Sequence, residues 1–406
     1  MHIMLVADGR SPTTRRWIAA IRGIVERITL VSSFPCAPVE GVEALYIFPI
    51  AFAGFAGNQA GAGAANPPSA NRGARKTVSR FRSLFLSMRY LLGPLTLPYY
   101  GRKFARMANN LNPDAVHALR IPFEGMLGSY TPKNIPFLVS IWGNDLTLHA
   151  SGSSAMSGLT RRVLQRASGL AADTHRDLRL GRAWGFHEDR PTLVAPGSGG
   201  IQLVEIEHIR YNSKDLLTDF LPAGVPLVVN PRGFRPGSVR NDVFFSAIPL
   251  VLQRRPDVAF VCPAMAGQTE AIQAVQRYGL RNKLFLLPHL PQQNLWDLFV
   301  RATVMVSISQ HDGTPNTLLE AMACGCFPVA GDIESIREWI TPGVNGLLVE
   351  PTSPQGAAEA ILTALESPGL RKSAAEVNQR LIAERAELSV VRETIRAFYA
   401  NFDRSL

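Results

Sequence analysis

Between Glu43 and Asp114 the 406-residue chain has no acidic residue. The same stretch holds nine bases, Arg72, Arg75, Lys76, Arg80, Arg82, Arg89, Arg102, Lys103 and Arg106; taking nine from the 42 lysines and arginines leaves 33 against 32 acids. Almost all of the net charge of +10 therefore belongs to one basic segment, residues 71–106. Cysteine is also scarce. There are four, and Cys324 and Cys326 have no His or Cys cluster beside them. That excludes a disulfide scaffold and argues against a zinc site, leaving buried thiols in a reducing cytoplasm as the expectation. No uninterrupted run of about 20 apolar residues occurs, so no membrane-spanning helix is expected. The opening Met1-His2-Ile3-Met4-Leu5-Val6-Ala7-Asp8 reads as a strand and turn, without the basic and apolar regions of an export signal. Aromatic and basic residues do not interleave as in single-strand binders, so nucleic acid is not an expected partner.

What is present is ordinary globular composition, 46% hydrophobic and 18% charged, over a length that suits two domains. Short apolar runs at His2–Ala7, Arg27–Val31, Ala115–Leu119 and Phe137–Ile141 alternate with helical patterns such as Ser11–Glu26. Gly197-Ser198-Gly199-Gly200 ends that series, and the polar stretch from Glu205 to Gly224 reads as a linker or an irregular start. A second series begins at Val225–Asn230 and runs to Gly346–Val349. The expected fold class is α/β: two doubly wound, Rossmann-like domains of parallel strands, over residues 1–205 and 206–386, with a ligand cleft at their strand ends. Residues 387–406 form a last amphipathic helix, with Val390, Val391, Ile395, Phe398 and Tyr399 on its apolar face.

In the second series a strand ends near Ser307, a polar loop carries Asp312 and Gly313, and Thr314-Pro315 gives a helix-start signal. Gly325 closes that helix. Its first residues, Thr314, Pro315, Asn316, Thr317 and Leu318, place unpaired amides and a positive dipole end at the carboxyl end of a parallel strand, where a diphosphate is favoured. Glu320 sits on the same helix, where a carboxylate can accept from the vicinal hydroxyls of a ribose; Asp312, in the loop, can reach hydroxyls of a transferred sugar. A turn-capping Asp and a surface Glu are the alternative for this pair alone. Upstream, Arg232, Arg235 and Arg240 crowd one loop at another strand end, and guanidinium pairs bidentately with phosphate; a solvated basic loop is the alternative.

The run from Asp312 to Glu320 and on through Ala321-Met322-Ala323-Cys324-Gly325 resembles the E-x7-E signature of the retaining family 4 glycosyltransferases of GT-B fold, with Asp in place of the first Glu. Phe327–Ile333 and Gly343–Val349 are in register with that family's following strand, loop and turn, and Val229–Pro236 resembles its basic donor loop. The resemblance implies a nucleotide-diphosphate sugar as co-substrate, a UDP- or GDP-sugar, with no separate cofactor and no metal. It implies transfer to a hydroxyl of a glycan or lipid-linked acceptor, with retention, in cell-surface polysaccharide or glycolipid synthesis. It also implies a last helix that crosses back onto the N-terminal domain. A GT-B-like nucleotide-sugar epimerase and a non-catalytic transferase-fold protein are the rival readings.

In the first series, Asp8-Gly9-Arg10 resembles the family's first glycine turn, and Gly9 would let a ligand approach the backbone. Pro113–Arg120 resembles the family's D-V-V-H-x-H strand end only in part: His117 takes the first histidine position, as a catalytic candidate or a satisfied core residue, and Leu119 stands at the second. Arg120, with Asn144 and Asp145 of the Trp142-Gly143-Asn144-Asp145 loop, completes the expected acceptor side of the cleft; a plain turn is the alternative for that loop. Within the basic segment, Phe81, Leu84, Phe85, Met88, Leu91 and Leu92 share a helical face, while Arg75, Arg82 and Arg89 form a stripe on another. Such a helix suits docking on an anionic membrane, making the protein peripheral on the inner face of the cell membrane; the alternative is packing on the sheet with solvated arginines.

Overall fold

The computed structural model describes residues 1–51, 53, 92–212 and 221–404. Most of the basic segment, including Arg75, Arg82 and Arg89 and the apolar positions from Phe81 to Leu91, lies outside the described residues. The chain forms two compact units, Met1–Gly199 with Arg392–Leu406, and Gly200–Val391.

The first unit holds strands β1 (His2–Ala7), β2 (Arg27–Ser32), β3 (Ala44–Ile47), β4 (Ala115–Ala118), β5 (Phe137–Ile141), β6 (Gly169–Ala172) and β7 (Thr192–Val194). They form one parallel sheet in the order β3-β2-β1-β4-β5-β6-β7. Every residue of β1 and of β5 is buried, as the near-continuous apolar runs of those segments require of a parallel sheet with both faces covered. Helices Pro12–Ile21, Leu97–Leu111, Ser154–Arg166 and His175–Ala183 accompany it. The last two are capped as their sequences dictate: Ser153 accepts from the Met156 amide at 3.2 Å and Thr174 from the Asp177 amide at 3.1 Å.

The second unit holds β8 (Leu227–Val229), β9 (Ala259–Cys262), β10 (Leu284–Leu286), β11 (Val304–Ser307), β12 (Phe327–Gly331) and β13 (Leu347–Val349), parallel in the order β10-β9-β8-β11-β12-β13. Its helices include Asn241–Arg254, Asn316–Ala323 and Pro354–Glu366. One apolar cluster, with Phe244, Phe260 and Phe327, and another, with Trp296, Phe299 and Trp339, form its core. In each sheet the order reverses beside the first strand, between β1 and β4 and between β8 and β11, which is where ligands settle in doubly wound folds.

Two expectations change. The stretch from Glu205 is not an irregular linker: Leu203–Asn212 is a helix of the second unit, and the boundary lies at Gly199/Gly200. Both glycines have positive φ, and a Cβ on Gly200 would come within 2.8 Å of the Leu388 backbone. The polar residues of that helix misled because it has only Ile206 fully buried. The helix Leu388–Ala400 begins in the second unit and from Arg392 onward belongs to the first, where Tyr399 is fully buried.

Candidate functional site

The second unit assembles its site across the β8/β11 reversal. After β8, the Asn230 side chain accepts from the Arg232 amide at 3.1 Å and donates to Asn241 at 3.0 Å, and Asn241 in turn donates to the Gly233 carbonyl at 2.7 Å. This double asparagine brace fixes the arginine loop. The loop is stapled to the one after β11 by the Arg240 amide on the Ile308 carbonyl, 2.9 Å, and the Gln310 amide on the Ser238 carbonyl, 2.8 Å. The two strand-end loops thus act as one rigid shelf.

On it, the Arg232 guanidinium donates to the Asp312 carboxylate, and to the Thr317 hydroxyl at 3.3 Å. Its side chain is only 3% exposed, against 17% for Asp312. Asp312 also accepts from the Ser309 hydroxyl at 3.1 Å and the Gly313 amide at 3.2 Å, and its own carbonyl accepts from Ser335 at 2.8 Å. Arg235, beside them, has its pKa lowered to about 10, chiefly by the neighbouring Arg232 cation. It remains a cation at neutral pH. Two guanidinium groups against one carboxylate leave this shelf net positive, of the kind that takes an anion with several oxygens.

The helix after the loop runs from Asn316 to Ala323, with Pro315 in the capping position and no side-chain cap bond. Thr314 was expected to cap it; instead its hydroxyl accepts from the Trp339 indole N–H at 2.9 Å. The amides of Asn316 and Thr317 open the helix, with no side-chain cap bond from the Pro315 position. Leu318 is core, at 0% exposure, and serves packing rather than contact with a ligand. Glu320, about one turn in, is 1% exposed rather than displayed on an open face. Its carboxylate and, above all, burial push the Cys324 thiol well up. Arg240 does not join the cluster: its guanidinium is held by both oxygens of Asp242, at 2.8 and 2.7 Å, two residues along at the start of the next helix. Ser309, Ser335, Asn230 and Trp339 are site-builders that the sequence did not mark, since single serines and asparagines in loops carry no periodic or spacing signal.

The expected residues of the first unit fare differently. His117 is fully buried, its Nδ1 2.8 Å from the Tyr399 hydroxyl and its Nε2 2.9 Å from that of Ser140, with Trp17 edge-on at 5.8 Å. Burial lowers its pKa to about 3. A neutral imidazole with both nitrogens engaged is a core residue, and the catalytic assignment of His117 is corrected accordingly. Asp145, at 0% exposure, accepts from Arg120 at 2.8 Å and from the amides of Ile121 and Trp142 at 3.0 and 3.2 Å. It is a loop staple, not a hydroxyl reader. Asn144 is half-buried, and its carbonyl accepts from the Leu148 and His149 amides. Gly9 is buried, and a Cβ there would meet Cys36 Sγ at 2.6 Å; packing against that thiol, rather than access to a ligand, explains the glycine.

Residues 238–380, all in the second unit, match the family model of glycosyl transferases group 1. A D-inositol 3-phosphate glycosyltransferase of Streptosporangium roseum is 30% identical over 97 residues, 24% of this chain and 22% of that protein. A GDP-mannose:cellobiosyl-diphosphopolyprenol alpha-mannosyltransferase of Xanthomonas campestris is 30% identical over 95 residues, 23% of this chain and 25% of the relative. The chain thus spans about a quarter of the length of the curated relatives it matches. Among solved structures, HepE of Anabaena in complex with UDP and glucose superposes with a TM-score of 0.71 at 16% identity, covering 99% of this chain and 100% of that one. Sucrose-phosphate synthase of Thermosynechococcus elongatus gives 0.72 at 14% identity, covering 99% and 98%. At these identities the likeness shows the fold: two Rossmann-like parallel-sheet units, as in the GT-B glycosyltransferases.

Proposed function

We propose that the protein is a glycosyltransferase that moves a sugar from a nucleoside-diphosphate sugar to a hydroxyl of a glycan or lipid-linked acceptor, with retention at the anomeric carbon. The observation that carries this reading is the Arg232–Asp312–Thr317 cluster at the β8/β11 reversal, inside or beside the stretch that matches the group 1 model. Arg232 and Arg235 take the diphosphate, and the amides at the start of the Asn316–Ala323 helix add to the same field. Asp312 holds Arg232; on this reading a diphosphate oxygen competes for the same guanidinium, and a carboxylate so displaced can meet hydroxyls of the transferred sugar. Glu320 is the candidate for the ribose. Because two guanidinium groups neutralise the leaving diphosphate, transfer on this reading needs no divalent cation, and chelator should leave the rate unchanged.

A thermal-shift screen over UDP-, GDP- and ADP-sugars tests the donor half. Stabilisation by at least one, lost in Arg232→Ala, is the expected result; no stabilisation by any would sink the assignment. Product analysis with donor alone separates transfer or hydrolysis from epimerisation.

The membrane reading draws on the described end of the acid-free stretch. Leu95 and Tyr99 are 73% and 69% exposed, and Arg102, Lys103 and Arg106 are exposed on the following turns of the Leu97–Leu111 helix. Apolar tips beside bases, with no acid in the segment, suit an anionic bilayer surface at about 1 kcal/mol per base. None of the helices among the described residues is long and apolar enough to cross a membrane. Liposome flotation should show binding that rises with anionic lipid and falls with salt; equal binding to neutral vesicles would count against it.

A further inference from the structure

The Asn316–Ala323 helix has eight residues and is about 12 Å long, so either end can fix the whole of it. Each of its last four carbonyls has a donor. The amides of Cys324, Cys326 and Gly325 take those of Glu320, Ala321 and Met322, at 3.0, 2.9 and 3.1 Å. The fourth, on Ala323, accepts from the Arg210 guanidinium at 3.1 Å, across 113 residues of sequence. Arg210 belongs to the Leu203–Asn212 helix, whose Ile206 lies in the same apolar cluster as Leu318 and Met322. With its amide oxygen turned to the guanidinium, Gln379 accepts from both terminal nitrogens of Arg210, at 3.1 and 3.0 Å. Arg210 is therefore held on both sides, and it lies outside the 238–380 stretch that matches the family model.

We infer, resting on the reading of Glu320 as the ribose group, that Arg210 is a positioning residue for it. By holding the carboxyl end of the helix, Arg210 sets where the Glu320 carboxylate stands. Glu320 lies three residues before Ala323, less than one turn, so a shift of that end carries it along. Cys324 is four residues after Glu320 and shares its face. Besides burial, the Glu320 carboxylate pushes its thiol up, and Arg210 draws it back. The guanidinium and the carboxylate thus flank one thiol. Losing Arg210 would leave the Ala323 carbonyl without this donor and remove a cation from the negative end of the helix dipole. Arg232 works at the opposite end, on Thr317. A change at the carboxyl end should therefore be felt by the ribose and not by the phosphates.

The test titrates the full chain calorimetrically with UDP, GDP and ADP, each beside its 2′-deoxy form. Inorganic pyrophosphate, titrated in parallel, reads the arginine shelf alone. The parent should bind at least one ribonucleotide about tenfold tighter than its deoxy form, and Glu320→Gln should cut that margin to about threefold or less. Arg210→Met should cut it equally, with pyrophosphate binding held within about twofold of the parent. Arg210→Lys, which keeps a donor and a charge, should retain most of the margin. Gln379→Leu, which leaves Arg210 but removes its support, should give an intermediate loss. The proposal is overturned if Arg210→Met keeps the margin, if the lysine variant loses as much, or if pyrophosphate binding falls in step. Should the methionine variant not fold, an unchanged margin in Gln379→Leu overturns it. A margin absent from the parent, or unmoved by Glu320→Gln, removes the ribose reading and the role of Arg210 together. A margin that Glu320 controls and Arg210 does not removes the role of Arg210 alone.

Discussion

Each unit carries an arginine–aspartate pair at the carboxyl ends of its parallel strands, and the two pairs do opposite work. In the first, Asp145 is at 0% exposure and receives Arg120 plus two backbone amides. Three donors, two of them main chain, cannot be displaced without opening the loop. In the second, Asp312 is 17% exposed and receives Arg232, a serine hydroxyl and the amide of its own neighbour. Those donors are mostly side chains, which can turn from the carboxylate to a ligand oxygen. Position in a doubly wound fold nominates a site, and the number and kind of donors already spent decide whether it can act.

The most disruptive way to test this contrast is Asp145→Ala. It strands the Arg120 guanidinium and two amides, and should cost roughly 3–5 kcal/mol in denaturant unfolding; Asp312→Asn, which keeps an acceptor oxygen for Arg232, should cost clearly less in the same assay. Equal losses would erase the distinction between staple and site. Next comes Arg232→Ala, expected to lower kcat/KM for the nucleotide sugar about 100-fold, or roughly 3 kcal/mol, with stability little changed. Lysine at that position should recover only part, because it lacks the planar fork.

A pH experiment sharpens the account of the first unit. Burial holds His117 near 3, against 6.5 for a free imidazole, so the unfolded chain takes up a proton that the folded chain refuses. Stability from this residue is complete above pH 6.5 and falls as the pH drops toward 3. At about 1.4 kcal/mol per unit the loss reaches roughly 2 kcal/mol by pH 5. His117→Gln should flatten that part of the stability profile while kcat at pH 7 stays within about threefold of the parent, as expected for a residue outside the chemistry. The smallest effect is expected from Arg240→Ala. Its guanidinium is already held by Asp242, so donor KM should change by less than about threefold; a large increase would bring Arg240 back into the cluster.

Much of the second unit was legible because its signals are local. The helix that Thr314-Pro315 opens and Gly325 closes is observed as Asn316–Ala323, and the strand within Phe327–Ile333 as Phe327–Gly331, since apolar runs bounded by turns and caps mark them. Strands β6 and β7 in the first unit gave little signal: Gly169-Leu170-Ala171-Ala172 and Thr192-Leu193-Val194 are short and nearly featureless, and become strands only by pairing with neighbours already in the sheet. The arginine loop was identifiable by charge, but not which arginine would turn inward. Arg232 does so because the Asn230–Asn241 brace orients its backbone, and Arg240 does not because Asp242 lies two residues away.

The sequence by itself determined the two alternating series, the parallel sheets they imply, the acid-free segment, and the strand–loop–helix around Asp312 and Glu320. Each is written in neighbours a few residues apart, through periodicity, capping and charge. Only the tertiary structure decided that His117 and Asp145 are spent in the core, that Asp312 meets Arg232, and that Arg210 meets the Ala323 carbonyl. Those outcomes join residues tens to hundreds of positions apart, and whether a polar group is free for chemistry depends on partners that no local pattern names.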